Sequence, residues 1–220
     1  MIAEHILKFY SDLKIPPLPK SIIAMNPYQN RDTLLLCEQF YNKYYADSDR
    51  RILMLGINPG RFGSGITGIS FTDPIRLEDN CRIKNTLAKK PELSATFIYS
   101  MIEAYGGTAK FYKKYFISAV SPLGFLKNNK NANYYDDSRL QTAVTPFIVN
   151  SIERIISTVC EKNICYCIGE GENFKFLSGL NVKHGWFKKL VPLPHPRFIM
   201  QYRRKRLLEY VELYLNVLAE

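Results

Sequence analysis

The order of segments in this chain predicts an α/β protein: a three-layer α/β/α arrangement around a central, mainly parallel four-stranded sheet. Three observations predict it. Short apolar runs alternate with longer stretches of helical periodicity. Each of the four runs stops at a turn signal: Asn58-Pro-Gly, Ser121-Pro, Gly169-Glu-Gly or Pro194-His-Pro. The 220 residues carry 46% hydrophobic and 23% charged side chains, an ordinary globular balance. A chain of that length buries about 70% of its unfolded surface, so it folds without disulfide or metal staples.

In chain order, residues 1–13 read as an amphipathic helix, with Ile2, Ile6, Phe9 and Leu13 at helical spacing. Residues 15–28 read as a proline-rich connector, because proline bars a regular helix. A second helix is predicted over 31–45. The first strand is Arg51–Ile57, a nearly continuous apolar run suited to the centre of a parallel sheet. A glycine-rich loop follows at 58–73, then helical patterns near 75–89 and 93–105. The second strand is Tyr115–Val120. Asp136 and Asp137 mark the N-terminus of a long helix reaching about Cys160. The third strand is Ile164–Ile168, followed by a helix near 171–179. A short fourth strand, Leu190–Leu193, precedes a closing helix from about Tyr202, with Leu207, Leu208, Val211 and Leu215 along one face. The chain reads as one domain over 1–220, with 1–48 as an N-terminal helical segment. Ligands of such sheets bind beyond the carboxyl ends of the strands, so the four turn signals are where chemistry belongs.

Composition narrows the class. No apolar run is long enough to span a membrane. The early Glu4 and the charges after it do not suit a signal peptide. The five cysteines are odd in number and include no C-x-x-C pair, so buried thiols in a reducing cytoplasm are expected rather than a disulfide framework, an iron–sulfur cluster or a zinc site. No metal or cofactor, membrane or obligate protein partner is implied. The formal charge is +10, which points to a polyanion such as nucleic acid. That charge is concentrated: residues 173–208 hold nine Lys or Arg and no Asp or Glu. Such a run reads as a contact surface.

Gly63-Ser-Gly65-Ile-Thr-Gly68 spells G-x-G-x-x-G but does not meet the requirements of a dinucleotide site. Five residues separate it from the strand, no helical pattern follows, and no acidic strand end lies about 20 residues on. The glycines instead let the backbone approach a ligand or another loop. Among the three histidines, only His195 lies at a strand end; His5 falls in the first helix and His184 in a Lys-His-Gly turn. Asn58 is the first polar side chain after the first strand. Asn58, Phe71 and His195 therefore share a topological position beside the basic segment.

The fourteen residues Asn58-Pro-Gly-Arg-Phe-Gly-Ser-Gly-Ile-Thr-Gly-Ile-Ser-Phe71 closely resemble the first motif of the uracil-DNA glycosylase superfamily, nearest to its single-strand-selective monofunctional branch. Leu193-Pro-His-Pro-Arg197 resembles the second motif, Phe116–Leu123 the middle strand and Ile168-Gly-Glu-Gly the next strand end, so the likeness spans about 50–210. The resemblance implies a base-excision enzyme with DNA as partner. It implies that Asn58 positions the attacking water and that His195 donates a hydrogen bond to the departing base. Gly60, Phe62, Phe71, Ser118 and Ala119 would line the base pocket, with Phe71 stacked on the base. Arg197 and Phe198 would match the wedge. Arg203, Arg204, Lys205 and Arg206 would meet phosphates at the start of the last helix.

The chain departs from the family at Ala119, where the nearest relatives carry an Asn that reads uracil's Watson–Crick edge. Readout then falls to backbone groups, Ser118 or the Asn128–Asn133 loop, and the preferred base becomes uracil or another deaminated base such as hypoxanthine or xanthine. No lysine stands out as a Schiff-base nucleophile, so hydrolysis without a lyase step is expected. Two other readings stay open. One is a non-catalytic nucleic-acid-binding protein on the same fold. The other is a nucleotide-handling enzyme that uses the glycine loop for phosphate.

Overall fold

A computed structural model describes residues 1–219. The chain begins with α1 (Ile2–Ser11), β1 (Ile22–Met25) and α2 (Arg31–Tyr44), the last capped by Asn30, whose side chain accepts from the N–H groups of Asp32 and Thr33. Then come β2 (Arg51–Gly56), one helical turn α3 (Ser64–Thr67), α4 (Pro74–Asp79), α5 (Leu93–Tyr105) and α6 (Thr108–Lys114). Three strands follow: β3 (Tyr115–Ala119), β4 (Gly124–Lys127) and β5 (Lys130–Ala132). Asp137 caps the long α7 (Ser138–Thr158). The chain continues through β6 (Cys160–Ile168), α8 (Glu172–His184), β7 (Lys189–Leu193) and α9 (Pro196–Tyr202), and ends in α10 (Leu207–Ala219).

The central sheet has the order β3-β2-β6-β7, and every neighbouring pair is parallel. All four strands therefore end at the same edge, at Gly56, Ala119, Ile168 and Leu193. Helices cover both faces. Ser118 of β3 meets Tyr10 of α1 across a buried 3.2 Å hydrogen bond, and α1 packs with α2 and α7. On the opposite face Tyr115 and Tyr166 donate to the carbonyls of Leu218 and Val217 in α10, which packs with α5 and α9. Tyr115 and Ser118 are three apart, an odd separation that puts them on opposite faces of a strand. The three-layer α/β/α architecture and the four parallel strands follow the sequence expectation.

Four features differ from it. Residues 22–25, inside the proline-rich connector, form β1, which pairs antiparallel with β4; β4 in turn pairs with β5. This second, three-stranded sheet closes through Asn128 and Asn129, both in the left-handed region (φ 52° and 58°) that a two-residue hairpin turn requires and that Asn tolerates best after Gly. The helix predicted over 75–89 ends at Asp79, because Arg82 turns to φ 56° and the chain folds back, with the Asn85 amide donating to Pro74 O at 3.0 Å. Residues 108–114 form α6 after the left-handed Gly106. The closing helix is split: Pro196 starts α9, the chain breaks at Arg203, and Arg204–Arg206 form a 3₁₀ turn before α10. A further detail explains a boundary. The β6 strand starts at Cys160, but its pairing with β2 jumps from Arg51–Cys160 to Leu53–Cys165, so only the regular part from Ile164 was visible as a strand.

Arg51, at the start of the central strand, is fully buried. Its guanidinium is satisfied by a cage: Nε donates to Tyr112 O at 2.9 Å, Nη2 to the Asp47 carboxylate at 2.8 Å, and Nη1 to Asp49 O, with the Tyr45 ring 5.3 Å away. A buried cation persists only when each donor is used. Replacing Arg51 by Leu strands the Tyr112 carbonyl and is expected to lower stability by about 2–3 kcal/mol, read as a drop in the urea midpoint; an unchanged midpoint would show that the cage contributes nothing.

Candidate active site

A cavity of about 490 Å³ opens at the carboxyl edge of the central sheet. Each of its strands contributes: Asn58 follows β2, Ala119 ends β3, Gly169 follows β6, and His195 follows β7. Phe71 lines the same cavity. The three residues singled out by topological position thus meet in one place.

Asn58 is held by the second sheet. Its Oδ1 accepts the Tyr134 N–H at 3.0 Å, and its Nδ2 donates to Ala132 O at 3.2 Å and Pro59 O at 3.3 Å. Both amide hydrogens are used, while Oδ1 retains one of its two acceptor sites. The side chain is therefore fixed in rotation and can still accept from a water. The small sheet must press closely on this loop. A methyl group added at Gly124, the first residue of β4, would lie 2.5 Å from Pro59 O.

Phe71 is held in the left-handed region at φ 51°, a strained setting for a bulky residue. Buried threonines enforce it: the Thr67 hydroxyl donates to Thr72 O at 2.6 Å and accepts from Ile69 N, and the Thr72 hydroxyl lies 3.0 Å from Tyr99 OH. The ring sits directly over the end of β2. A Cβ on Gly56 would come within 2.7 Å of Phe71 Cε2, so only glycine fits there. Here the glycine-rich loop folds closely on itself. Gly65 N donates to Gly60 O, and a Cβ at Gly65 would stand 2.6 Å from that oxygen.

His195 caps α9. Its Nδ1 accepts the Arg197 N–H at 3.1 Å, which leaves the proton of the neutral ring on Nε2. The Phe71 and His195 ring centroids are 6.2 Å apart. The imidazole keeps some solvent contact, yet the dense surroundings and then the neighbouring Arg197 charge pull its pKa down to about 4. Near neutral pH the ring is an uncharged donor aimed from a fixed frame.

Several sequence expectations need correction. The Ser118 hydroxyl is turned away from the cavity to Tyr10, so only its backbone is available to a ligand. Phe62 does not line the cavity; it is 42% exposed outside it, between Arg61 and Lys90. Gly60 and Ala119 do line it, as do Arg197 and Phe198, which lie in the first turn of α9 rather than in a loop. Arg203, Arg204, Lys205 and Arg206 form a separate shallow recess that shares Gln201 and Tyr202 with the cavity. Arg204–Arg206 form the 3₁₀ turn before α10, and Arg206 is already paired with Glu209 at 2.7 Å.

Other lining residues were missed. Asn173 is buried, donates to Ile168 O and accepts from Tyr134 OH at 2.8 Å, bracing the β6 end against the small sheet. Glu92 lies beside Gly63, and burial pushes its carboxyl up despite Arg197 nearby. Tyr202 is brought in by the helix α9, which the sequence did not reveal. The position of Asn173 just after Gly-Glu-Gly was the one signal available. His184 lies elsewhere, stacked on Trp186 at 4.8 Å. All five cysteines are buried. Among the described residues no group of three or more His, Cys, Asp and Glu side chains is gathered to hold a metal ion. No helix among them is long and apolar enough to cross a membrane.

Fold and site together define a class. The family model for the uracil DNA glycosylase superfamily matches residues 43–219, and the chain belongs to that superfamily. Among solved structures, the chain is similar to the wild-type SMUG2 of Pedobacter heparinus, known from a crystal structure. The two are 43% identical, over 99% of this chain and 97% of that one, with a TM-score of 0.96. No curated protein matches the chain.

The depressed pKa of His195 has a signed consequence. The unfolded chain takes up a proton at this group near its ordinary 6.5, the folded chain only near 4, so stability falls as pH drops from about 6.5 toward 4. The His195 ring proton resonance should titrate with a midpoint near 4; a midpoint near 6.5 would contradict the buried neutral ring.

Proposed function

We propose that this protein is a monofunctional DNA glycosylase that hydrolyses the N-glycosidic bond of uracil, or of another deaminated base, in DNA. The observation that carries the reading is the meeting of Asn58, Phe71 and His195 in one cavity, in a chain of the uracil DNA glycosylase superfamily. A base inside a duplex is out of reach, so the target nucleotide enters the cavity flipped or from a single strand. Phe71 stacks on it. The bond between C1′ and the base nitrogen breaks, and its electron pair leaves with the base. His195 Nε2–H donates to the base oxygen where negative charge grows, and a neutral donor stabilises that anion without first having to shed a proton. Asn58 Oδ1, with its open acceptor site, holds a water against C1′. The water oxygen forms the new bond, its proton passes to solvent or to the departed base, and the products are an abasic site and a free base.

The side chain at Ala119 cannot hydrogen-bond, and the Ser118 hydroxyl is occupied by Tyr10. Base readout then rests on backbone at the end of β3 and on Asn131, which lines the cavity and whose amide NH₂ has no partner among the described residues. This favours a pocket less strict than one with a dedicated Asn. It also keeps a second reading in view, a DNA-binding protein on this fold without excision. A panel of single-stranded oligonucleotides carrying uracil, xanthine or hypoxanthine separates the two, since only the enzyme releases a base.

Replacing Asn58 by Ala should remove most of the excision. Replacing His195 by Leu should lower the single-turnover rate by about 10²–10³-fold, the usual loss for one preorganised donor. Wild-type rates in Asn58→Ala would sink the water-positioning role. Charge reversal at Arg203 and Arg204 should weaken DNA binding and flatten its salt dependence, measured by fluorescence anisotropy across a salt series. Unchanged affinity and slope would remove that turn from the DNA-facing surface.

A further inference from the structure

Phe62 is an exposed aromatic with unusual company. The Arg61 guanidinium lies 4.7 Å from its ring centroid and the Lys90 ammonium 5.4 Å. The two cations differ in freedom. Arg61 is pinned, with Nη1 donating to Asn129 O at 2.7 Å and its backbone N–H to Asn131 Oδ1 at 3.3 Å. Lys90 is exposed, and its ammonium makes no hydrogen bond or ion pair among the described residues. One cation is thus built into the hairpin turn, while the other can swing off the ring.

The cluster also stands at the mouth of the cavity. Gly60 and Ser64 on either side of Phe62 line it, as does Glu92, two residues after Lys90. A similar arrangement occurs on α9. Phe198 and Tyr202, 43% and 67% exposed, are four apart on one helix face with ring centroids 5.7 Å apart, and Arg203 lies 5.4 Å from the Phe198 ring. Exposed rings with adjoining cations are the parts from which sequence-tolerant single-strand binding is made: the ring stacks a base and the cation meets the neighbouring phosphate.

We propose that Phe62 is a second base platform, on which an unpaired nucleotide neighbouring the target stacks while Lys90 moves from the ring to that nucleotide's phosphate. The ligand is single-stranded DNA, and Phe198–Tyr202 provides the other platform along the same strand. This rests on the DNA glycosylase reading for the strand's path but not for the binding itself. A duplex keeps its bases stacked on one another and offers none to Phe62.

The test is anisotropy with a labelled oligothymidylate of about a dozen undamaged nucleotides, within the site sizes usual for such grooves. Phe62→Ala should weaken binding by about five- to a hundred-fold, and Phe62→Trp should retain it. Lys90→Ala should weaken it less and reduce the salt slope by about 0.7, the value for one single-strand phosphate contact. Equal affinity of wild type and Phe62→Ala would overturn the proposal, as would failure of the wild type to bind the single strand. Equal losses in Phe62→Ala and Phe62→Trp would overturn it too, because stacking tolerates exchange of one aromatic for another. Absence of base release from every damaged substrate, with Phe62-dependent binding intact, would instead refute the glycosylase reading and leave this site standing.

Discussion

The site depends on one short set of hydrogen bonds, those that fasten the Asn58 amide to Ala132 O and Tyr134 N–H. They join the end of the central parallel sheet to the small antiparallel one. Without the small sheet, Asn58 would be a turn residue free to rotate, and its oxygen would have no defined direction. With it, both amide hydrogens are consumed and a single acceptor site remains. The demands this makes spread outward. Gly124 must lack a side chain so that β4 can pass Pro59 O, and Asn128 and Asn129 must both turn left-handed to close the hairpin. Asn173 ties Tyr134 to the end of β6 in turn, so the brace reaches a third strand end.

The electrostatics of the site are divided between depth and rim. Inside, His195 is neutral because burial disfavours its charge and Arg197 adds to that effect. The carboxyl of Glu92 is likewise pushed toward its uncharged form by burial. Outside, the cations of residues 203–205 and of Arg61 and Lys90 face solvent, some resting against aromatic rings. The rim is thus positive, while the His195 ring within carries no charge near neutral pH. This suits chemistry in which negative charge appears only as a bond breaks, since preorganised dipoles then act on the transition state more than on the bound ground state.

Much of the scaffold was legible because its signals are local. The four parallel strands are apolar runs with turn residues at their ends, and α7 announces itself by its Asp137 cap. The elements that escaped notice are those whose stability is borrowed. Residues 22–25 look like a proline-rich connector and become a strand only because β4 lies beside them. The helix α9 is seven residues long, too short to show a periodic pattern, and begins at a proline that by itself reads as a turn. The predicted helix over 75–89 had the right pattern but is outweighed by contacts of Asn85 and Lys89 back onto α4.

By itself the sequence determined where the four parallel strands fall along the chain, the residues at their ends and the concentration of positive charge around His195. These follow from patterns of neighbours along the chain. Only the tertiary structure decided which side of each residue faces the cavity. Ser118 and Ala119 are adjacent in sequence, yet the hydroxyl of one is spent on Tyr10 across the sheet while the other ends at the cavity. Phe62 and Phe71 lie in one loop, yet Phe71 is folded over Gly56 and Phe62 is left on the rim. The reason is physical: a side chain's direction is set by the strand's alternation, by left-handed backbone at Phe71 and Gly68, and by bonds to residues far along the chain.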